Sequence, residues 1–521
     1  MKLHHLAFAD THSFSPLFLD YIKQQPQLKD FYNQFPEISN FKIQLEEKSK
    51  TYPAANRKVL VDALQVQYQH IDCHEAVKQN IASLENKNTF TITTGHQLNL
   101  FTGPLYFIYK IVTVINTCKK LKQQYPAYHF VPVYWAATED HDFDEIKSFR
   151  LYGKKYTWET NQKGAVGRFK TQDIKALLDE LPGDISIFKE AYLKNENLSQ
   201  AVRHYVNALF AEEGLLVIDA DDKELKRLFM DVIKDDLFNH SAKTLIEKQN
   251  AALEKQGYKA QVFARDINFF YLDEQLRERI EKNGNNYEVL NTDIKFSAKE
   301  MEAAIDEHPE KFSPNVILRP LYQEMILPNL AYVGGPAEVA YWLQFKSMFA
   351  HYKTTFPMLM PRNFALVLDA PTQRKLEKTG LGYEEFFQDK NYLFNQITLK
   401  LAGDKILLNG EKEIISKEFE TLKTKAANID STLEPMVAAE TRKAIKSLEK
   451  IEQKLLRAEK RRLSDKLGQV EAVKDALFPN GALQERTDNF LNFYQQDKAF
   501  IAKLLQHFNP FDYRLHILVY D

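Results

Sequence analysis

The sequence predicts an α/β protein with a core built on a parallel sheet, followed by a helical coiled-coil domain. Two observations favour this class. The first is a strand, loop, helix and second strand within residues 90–138, which is the βαβ unit typical of parallel sheets. The second is the long charged segment 433–477, whose apolar residues show heptad-like spacing. A chain of 521 residues exceeds one hydrophobic core, so we expect two or three domains.

The elements of the predicted core follow one another along the chain. Residues 1–85 are periodic and rich in aromatic side chains, which predicts helices. The first strand, FTITT, is β-branched and ends at Gly95. Pro104 suits the first turn of the helix that contains LYFIYKIVTVINTCKKLKQQ, and HFVPVYWAAT gives the second strand. Strand signals return after Ser313, in NVILRPLYQEMILP, NLAYVGGPAEVAYWLQF and FPMLMPRNFALVLDA.

The chain divides into a core, an insertion, a helical domain and a tail. The middle region is mainly helical, with GLLVIDADD as a further parallel-type strand and QVFARDINFFYLDE as hairpin material. We predict that residues 1–389 form the parallel-sheet core. An insertion at about 155–315 interrupts this core. A coiled-coil domain at 390–485 and a tail at 486–521 that packs on the core complete the chain.

The helical domain is predicted to project from the core. A single helix over residues 433–477 would be about 65 Å long, too long to lie across one small domain. The register of its apolar seam slips near residues 456 and 473, and Gly468 interrupts it. Two pairings remain open: a coiled coil between two chains, which makes a homodimer, and pairing within the chain against residues near 412–428.

Composition excludes several classes of protein. The formal net charge is −2, from 69 basic and 71 acidic residues, so there is no electrostatic case for a nucleic-acid or membrane partner. The start of the chain lacks the pattern of a signal peptide, and no uninterrupted apolar run is long enough to span a membrane. The only cysteines, Cys73 and Cys118, form neither a disulfide framework nor a complete cysteine zinc site. We expect a cytoplasmic protein in which both thiols serve packing.

Three loops at the predicted carboxyl ends of strands carry the candidate site residues, since ligands of open α/β sheets collect there. The first contains the predicted binding residues His96, Gln97, Thr102 and Gly103 and opens the helix of Pro104, on which Tyr106 is a further predicted binding residue. Glycine allows close backbone approach, and a helix N-terminus presents free N–H groups to phosphate or carboxylate. The alternative is that the glycines serve turns only and His96 is a satisfied polar residue.

The second loop is acidic. Glu139, Asp140, His141 and Asp142 are followed by two further carboxylates, and such crowding costs repulsion unless a cation, a ligand amine or basic neighbours relieve it. We expect Asp140, His141 and Asp142 to be catalytic and Glu139 to bind substrate. These groups would also suit Mg²⁺, Mn²⁺ or Zn²⁺, but adjacent loop residues rarely all point inward, so no metal ligand is assigned. The alternative is an exposed acidic turn.

The third loop combines an arginine with a second helix start. Gly-Gly-Pro opens a helix at residue 336, where an anion could bind. An arginine can bind a carboxylate in a bidentate fork, or it can form a structural salt bridge with an acidic neighbour. The predicted binding residues in this part of the chain are Arg319, Gln323, Gly334, Gly335, Glu338, Tyr341, Trp342 and Gln344.

Several common motifs are absent. The sequence contains no G-x-x-x-x-G-K-[ST], G-x-G-x-x-G, G-x-S-x-G or H-E-x-x-H pattern, which argues against P-loop NTPases, Rossmann dehydrogenases, α/β-hydrolases and zincins.

Four long blocks, in order and over nearly the whole chain, resemble the bacillithiol synthase family, the cysteine-adding enzymes of bacillithiol biosynthesis. They are TTGHQLNLFTGPLYFIYK, PVYWAATEDHDFDEI, RPLYQEMILPNLAYVGGPAEVAYWLQ and LFPNGALQER. The resemblance implies a Rossmann-like core akin to nucleotidyltransferases and class I aminoacyl-tRNA synthetases, with connecting-peptide insertions. It also implies a C-terminal coiled coil used in dimerisation.

The activity implied by this resemblance is a ligase that joins L-cysteine to glucosaminyl malate through an amide in the last step of the pathway. ATP or ADP is the implied candidate nucleotide, while the energy source and any metal requirement stay open. Where this chain has His96, the family often has glutamine, which points to a hydrogen-bonding role and not to an obligatory base. The rival hypotheses are a non-catalytic nucleotide- or thiol-metabolite-binding subunit that recruits a partner through the coiled coil, and a tRNA-dependent enzyme.

Overall fold

A computed structural model describes residues 1–403 and 406–520. Its strands fall into four sheets. In chain order they are β1 (Lys2–Ala7), β2 (Thr89–His96), β3 (His129–Ala136), β4 (Ser148–Leu151), β5 (Lys154–Thr157), β6 (Leu216–Asp219), β7 (Phe269–Asp273), β8 (Leu276–Asn283), β9 (Asn286–Val289), β10 (Lys295–Ser297), β11 (Phe312–Pro314), β12 (Asn329–Gly334), β13 (Met358–Pro361), β14 (Phe364–Leu368) and β15 (Arg514–Val519).

The central sheet has five parallel strands in the order β13-β12-β2-β3-β6. The predicted βαβ unit lies at its middle, where β2 and β3 are joined by the helix Tyr106–Gln124. Both strands are buried over nearly their whole length, as expected when helices cover both faces of a parallel sheet. Their carboxyl ends are in register, with His96 opposite Ala136, so the loops that follow them meet at one edge of the sheet.

A second sheet joins the two ends of the chain. β1 pairs antiparallel with β15, and β15 pairs parallel with β14, in the order β1-β15-β14. The chain therefore begins with a strand, and not with the helix that the periodicity of residues 1–85 suggested. Helices do fill the rest of that segment: Pro16–Ile22, Phe41–Thr51, Ala54–Tyr68 and Glu75–Ser83.

The middle region carries a hairpin, β4-β5, and an antiparallel sheet in the order β10-β9-β8-β7-β11. Most of its remaining residues are helical. The helices between β3 and β11 are Phe143–Ile146, Lys175–Glu180, Ser186–Lys194, Leu198–Phe210, Lys223–Arg227, Met230–Asn239, Ser241–Lys255 and Ala298–Glu307. The chain then returns to the central sheet through the helices Arg319–Ile326, Pro336–Trp342 and Lys346–His351.

The C-terminal region is helical. Its helices are Ala370–Thr379, Lys390–Ala402, Asn409–Ile429, Glu434–Arg462, Ser464–Leu477, Gln484–Thr487, Leu491–Tyr494 and Phe500–His507. Asn409–Ile429 and Glu434–Arg462 pair as a helical hairpin, which we call the arm. Of the two pairings left open by the sequence, the structure thus contains the one within the chain.

The predicted single helix over residues 433–477 is wrong in one respect: it is broken at Leu463, which has non-helical backbone angles. The break has a packing reason. Beyond it, Leu467, Val470, Val473 and Leu477 are buried, and the helix Ser464–Leu477 packs on Ala370–Thr379. Before it, the helix has only one buried residue and belongs to the arm. No helix among the described residues combines the length and apolar character needed to cross a bilayer.

Candidate active site

A pocket of about 810 Å³ opens at the edge of the central sheet where β2, β3 and β12 end. It holds the three loops that the sequence singled out, because the carboxyl ends of parallel strands meet at one edge. Predicted residues that line it are His96, Gln97, Tyr106, Glu139, Asp140, Arg319, Gly335, Glu338 and Tyr341. Predicted residues that do not line it are Thr102, Gly103, His141, Asp142, Gln323, Gly334, Trp342 and Gln344.

Glu338 is a carboxylate of the pocket with three bonded partners. Its Oε2 accepts from the backbone N–H of Gly335 at 2.8 Å and lies 2.5 Å from the Nζ of Lys110, while its Oε1 accepts from the hydroxyl of Tyr332 at 2.5 Å. Burial alone would raise the pKa of Glu338, but these donors outweigh burial and lower it. Glu338 therefore occupies the helix start at residue 336, and this N-terminus is not free for an anion.

Lys110 is a buried cation that joins two of the loops. Its Nζ donates to the carbonyl of Gly95 at 2.9 Å as well as pairing with Glu338. Burial lowers the pKa of Lys110, and the neighbouring Glu338 opposes that shift. The sequence offered a signal that we did not use: Lys110 is the only charged residue among the apolar positions of LYFIYKIVTVI.

The first residue of the acidic loop is paired with a buried lysine. Lys226, which is fully buried, donates to Glu139 at 2.5 Å and to the carbonyl of Phe312 at 2.8 Å. Burial raises the pKa of the Glu139 carboxyl, Lys226 opposes the rise, and the carboxylate of Asp221 adds to it. Glu139 is thus a pocket carboxylate that takes up a proton more readily than an ordinary glutamate.

Asp140 has the opposite tendency. Gln97 donates to its Oδ2 at 2.8 Å, and the backbone N–H of His141 donates to its Oδ1 at 2.7 Å. Burial alone would raise its pKa, but these donors and the nearby guanidinium of Arg277 outweigh burial and lower it. Asp140 is therefore ionised at neutral pH, and it remains in contact with the pocket.

The other two predicted catalytic residues point elsewhere. The Nδ1 of His141 lies 2.6 Å from the guanidinium of Arg277, and its side chain is 46% exposed. Burial and the charge of Arg277 lower the pKa of His141. Asp142 caps the short helix Phe143–Ile146 by accepting from the N–H of Glu145. Of the acidic loop, only Glu139, Asp140 and Glu145 line the pocket.

His96 sits at the end of β2 as a neutral imidazole. Burial, with a contribution from Lys110, lowers its pKa to about 3. The side-chain amide of Asn99 lies 3.1 Å from its Nε2, and the rings of Tyr106 and Phe107 pack beside it. A neutral ring that hydrogen-bonds can be replaced by an amide, which agrees with the hydrogen-bonding role that we predicted for it.

Arg319 is a partly buried cation that lines the pocket without a carboxylate partner among the residues the structure describes. Its Nη1 donates to Gln323 at 3.1 Å. Its guanidinium lies 5.9 Å from the ring of Trp135 and 5.7 Å from that of Tyr332. The structural salt bridge that we considered is not formed within the described part of the chain, so the fork stays available to an anion.

Thr102 and Gly103 belong to a turn that packs away from the pocket. Gly103 has φ +60°, and a Cβ there would lie 2.5 Å from the Cβ of Asn99. The backbone carbonyls of Phe101 and Gly103 accept from Asn489, and the N–H of Leu105 donates to Asp488. The backbone of this turn is thus already bonded within the chain, which favours the alternative in which Gly103 serves the turn.

The remaining predicted residues support the pocket from behind. Trp342 is fully buried and stacks on Tyr332 with 4.5 Å between ring centroids. Gln344 accepts from the N–H groups of residues 261 and 262 and so fixes the loop that forms one rim. Gln323 holds Arg319, and the carbonyl of Gly334 accepts from the N–H of Arg362.

Basic residues were the main omission of the sequence analysis. Arg277 and Arg362 line the pocket together with the exposed Arg265 and Arg486. Arg277 lies at the start of β8, in the antiparallel sheet of the middle region, and Arg362 follows β13 directly. Arg362 could have been found by the rule that we applied to the other loops, since it lies at the carboxyl end of a central strand. Arg277 reaches the pocket only through folding of the insertion.

Comparison with known proteins covers nearly the whole chain. Residues 1–363 match the family model "Bacillithiol biosynthesis BshC, N-terminal Rossmann-like domain", and residues 365–520 match "Bacillithiol biosynthesis BshC, C-terminal coiled-coil domain". The predicted fold class, a Rossmann-like core followed by a helical coiled-coil domain, is thereby confirmed. The prediction that the domain division lies at residue 389 remains a prediction.

Three relatives carry the name "Putative cysteine ligase BshC". The protein of Flavobacterium johnsoniae is 43% identical, with 98% of this chain and 99% of the relative covered. That of Cytophaga hutchinsonii is 42% identical, with coverage of 99% and 98%. That of Flavobacterium psychrophilum is 43% identical, with 97% of each chain covered.

Proposed function

The chain belongs to the BshC family of bacillithiol biosynthesis, as its sequence predicted, and on that premise we propose that it is a ligase that joins L-cysteine to glucosaminyl malate. The product is an amide between the cysteine carboxyl group and the glucosamine amine. The observation that carries the proposal is the composition of the pocket: an arginine without a carboxylate partner faces carboxylates of opposite pKa tendency.

Amide formation sets three requirements. The carboxyl carbon must lose an oxygen substituent, so the carboxylate has to be activated before the bond forms. The amine must be neutral when it attacks, and the negative charge that develops on the carbonyl oxygen must be screened. Residues of this chain supply candidates for the second and third requirements.

Arg319 is the candidate for binding a substrate carboxylate. Its fork matches the geometry of a carboxylate, and the nearby rings of Trp135 and Tyr332 limit how the guanidinium turns. The malate portion of glucosaminyl malate carries carboxylates, which makes it the substrate part that we assign to Arg319. Lys110 is the less suitable candidate because Glu338 already neutralises it.

Glu139 and Asp140 are assigned different roles toward the attacking amine of glucosaminyl malate. A carboxyl group with a raised pKa is the better base near neutral pH, so we assign proton removal from the attacking ammonium to Glu139. Asp140, which stays charged, would hold that ammonium in place with Gln97 steadying the carboxylate. His141 and Asp142, which we predicted to be catalytic, would act on the loop's conformation instead.

ATP or ADP remains our proposal for the activating nucleotide, but the turn that we predicted to hold its phosphates does not fit. The turn's carbonyls are bonded to Asn489, and the Thr102 hydroxyl is buried without a partner among the described residues and outside the pocket lining. We therefore assign no phosphate contact to Thr102 or Gly103 and no step to the nucleotide.

The test begins in the cell, where the energy source need not be known. Deletion of the gene should abolish bacillithiol and cause glucosaminyl malate to accumulate, and the wild-type gene should restore both pools. Unchanged pools in the deletion strain would refute the pathway assignment. Turnover of cysteine and glucosaminyl malate by the purified chain, with ATP supplied, then distinguishes the ligase from a non-catalytic subunit, which binds these compounds without converting them.

A further inference from the structure

Two histidines and an aspartate meet outside the pocket lining, at the sheet that joins β1 to β15. His5 lies on β1, His516 on β15, and Asp512 in the turn before β15. One ligand atom from each lies within 4.8 Å of the others. The pocket lining contains none of the three.

The strand register explains why these side chains meet. His5 and His516 are direct partners in the antiparallel pair β1-β15, so their side chains leave the same face of the sheet. On the other side of His516 the partner is Ala365 of β14, whose small side chain carries no polar group that could bond to the imidazole. The two rings pack edge to face, with 4.9 Å between centroids.

His516 is the unusual member of the cluster. It is 0% exposed, yet neither ring nitrogen has a hydrogen-bond partner among the residues that the structure describes. Burial lowers the pKa of His516, and backbone groups of Phe364 and Arg514 beside the ring oppose that shift, but neither meets the distance and angle of a regular hydrogen bond to a ring nitrogen. Buried polar groups are almost always bonded, so two orphaned nitrogens in one ring point to a partner of another kind.

We propose that His5, Asp512 and His516 bind one divalent transition-metal ion, with Zn²⁺ the best match. Two imidazoles and one carboxylate are a zinc donor set, and the nitrogen donors disfavour Mg²⁺ and Ca²⁺. A water molecule can complete the tetrahedron, since the side chains of His5 and Asp512 are 24% and 16% exposed. The site is independent of the function proposed for the pocket.

The spacing of the ligand atoms suits this ion with a small adjustment. Donors about 2.1 Å from a tetrahedral Zn²⁺ lie about 3.4 Å apart. The Nε2 of His5 already lies 3.3 Å from the Oδ2 of Asp512. His516 has to approach from within 4.8 Å, which a movement of the half-buried His5 and of the turn at Asp512 can provide.

Arg514 orients the carboxylate from outside. Its guanidinium donates to both oxygens of Asp512 at 2.7 Å, the kind of outer contact that fixes a ligating carboxylate. Its charge opposes a cation nearby, but the side chain is 51% exposed and is screened by water. Because the ligands come from the first and last strands, the ion would fasten the two ends of the chain to each other.

Zinc titration of the full-length protein tests the site. The protein is freed of any polyhistidine tag and of metal by chelation, and Zn²⁺ is then titrated against a chromophoric competitor. We expect one ion per chain in this site and a higher melting temperature with Zn²⁺ than without it. His5→Phe, Asp512→Asn and His516→Phe should each weaken the binding by about 10-fold or more.

The matched control is His4→Phe, because His4 lies on the same strand but packs against Tyr383 on the opposite face. It should bind Zn²⁺ like the wild type. His516→Phe also serves as a folding control, since phenylalanine removes the orphaned nitrogens and keeps the ring in its apolar setting. The proposal would be overturned if the protein bound no Zn²⁺ at about 100 µM, even if the melting temperature rose by up to about 8 °C. Unchanged affinity for Zn²⁺ in both His5→Phe and His516→Phe would overturn it as well.

Discussion

An ion pair in the wall of the pocket, where Arg362 lines it, and one in the arm differ in how deeply they are buried. In the wall, Arg362 and Glu485 form a two-pronged pair at 2.8 and 2.5 Å, and both side chains are at most 2% exposed. In the arm, Lys412 and Glu452 lie 2.5 Å apart and are 23% and 20% exposed. The arm also differs in its apolar residues, because Ile414 and other large apolar side chains of the arm are exposed to solvent. The wall is built to hold buried charge, whereas the arm offers apolar surface.

The largest difference between the two regions should appear on removing the acidic partner. Glu485→Ala leaves the guanidinium of Arg362 buried and uncompensated, so we expect a loss of about 3–5 kcal/mol in the free energy of unfolding. Glu452→Ala removes a partner that water reaches in the arm and should cost less than about 1 kcal/mol. Denaturant unfolding of both variants measures this. Equal losses would show that burial does not distinguish the two pairs.

The next effect concerns activity in the pocket and not stability. Asp140→Asn removes a charge that faces the pocket, and we expect cellular bacillithiol to fall about 100-fold or more, as when a residue that positions a proton transfer is lost. Asp142→Asn is the matched control, because Asp142 is an exposed helix cap outside the pocket lining. If the Asp140→Asn strain contained as much bacillithiol as the wild type, the acidic loop would be a solvated turn without a role in the reaction.

Substitution of Gly103 tests whether this glycine serves only the turn or also contacts a ligand. Gly103→Val places a side chain on backbone with φ +60° and against Asn99, so it should lower stability by about 2 kcal/mol or more and leave substrate affinity unchanged. Gly153→Val is the control: its φ is +79° but nothing lies within 4 Å of the added atom. Thermal melting and calorimetric titration separate the outcomes. A 10-fold loss of affinity at unchanged melting temperature would restore Gly103 to the site.

His96 should make the pocket sensitive to acid. Its folded pKa, about 3, lies below the ordinary histidine value of about 6.5, so the unfolded chain binds more protons between these values and stability falls as pH falls below about 6.5. From pH 7 to pH 5, His96→Gln should lose about 1–2 kcal/mol less than the wild type. His70→Gln, at an exposed position, is the control. Identical pH profiles for wild type and His96→Gln would contradict this.

The smallest effect should be in the arm, where we propose that two chains meet. Ile414 and Leu422 are 64% and 49% exposed on one side of the helix Asn409–Ile429. Changing both to glutamate should weaken a homodimer by about 10-fold or more. Val66→Glu is the control, because Val66 is similarly exposed, at 60%, but lies in the core domain and not in the arm. Sedimentation equilibrium decides: a wild-type monomer at micromolar concentration would refute the dimer itself.

The parallel sheet and the loops that follow its strands could be predicted from sequence because they depend on local patterns. The β-branched run before Gly95 and the helix after Pro104 are contiguous, and parallel pairing then brings the strand ends together. The two cations beside the acidic loop, Arg277 and Lys226, could not be predicted in this way. Arg277 comes from the antiparallel sheet of the insertion, and Lys226 lies on a helix before it.

The sequence by itself therefore determined the fold class and the two loops that supply Gln97, Glu139 and Asp140, since hydrophobic period and turn residues act over a few positions. It determined the family through the resemblance of four long blocks. The tertiary structure decided which carboxylate is protonated more readily, because a pKa depends on burial and on charges brought from distant segments. It also decided that the C-terminal strand lies against the first strand, since strand pairing is a contact that no local pattern specifies.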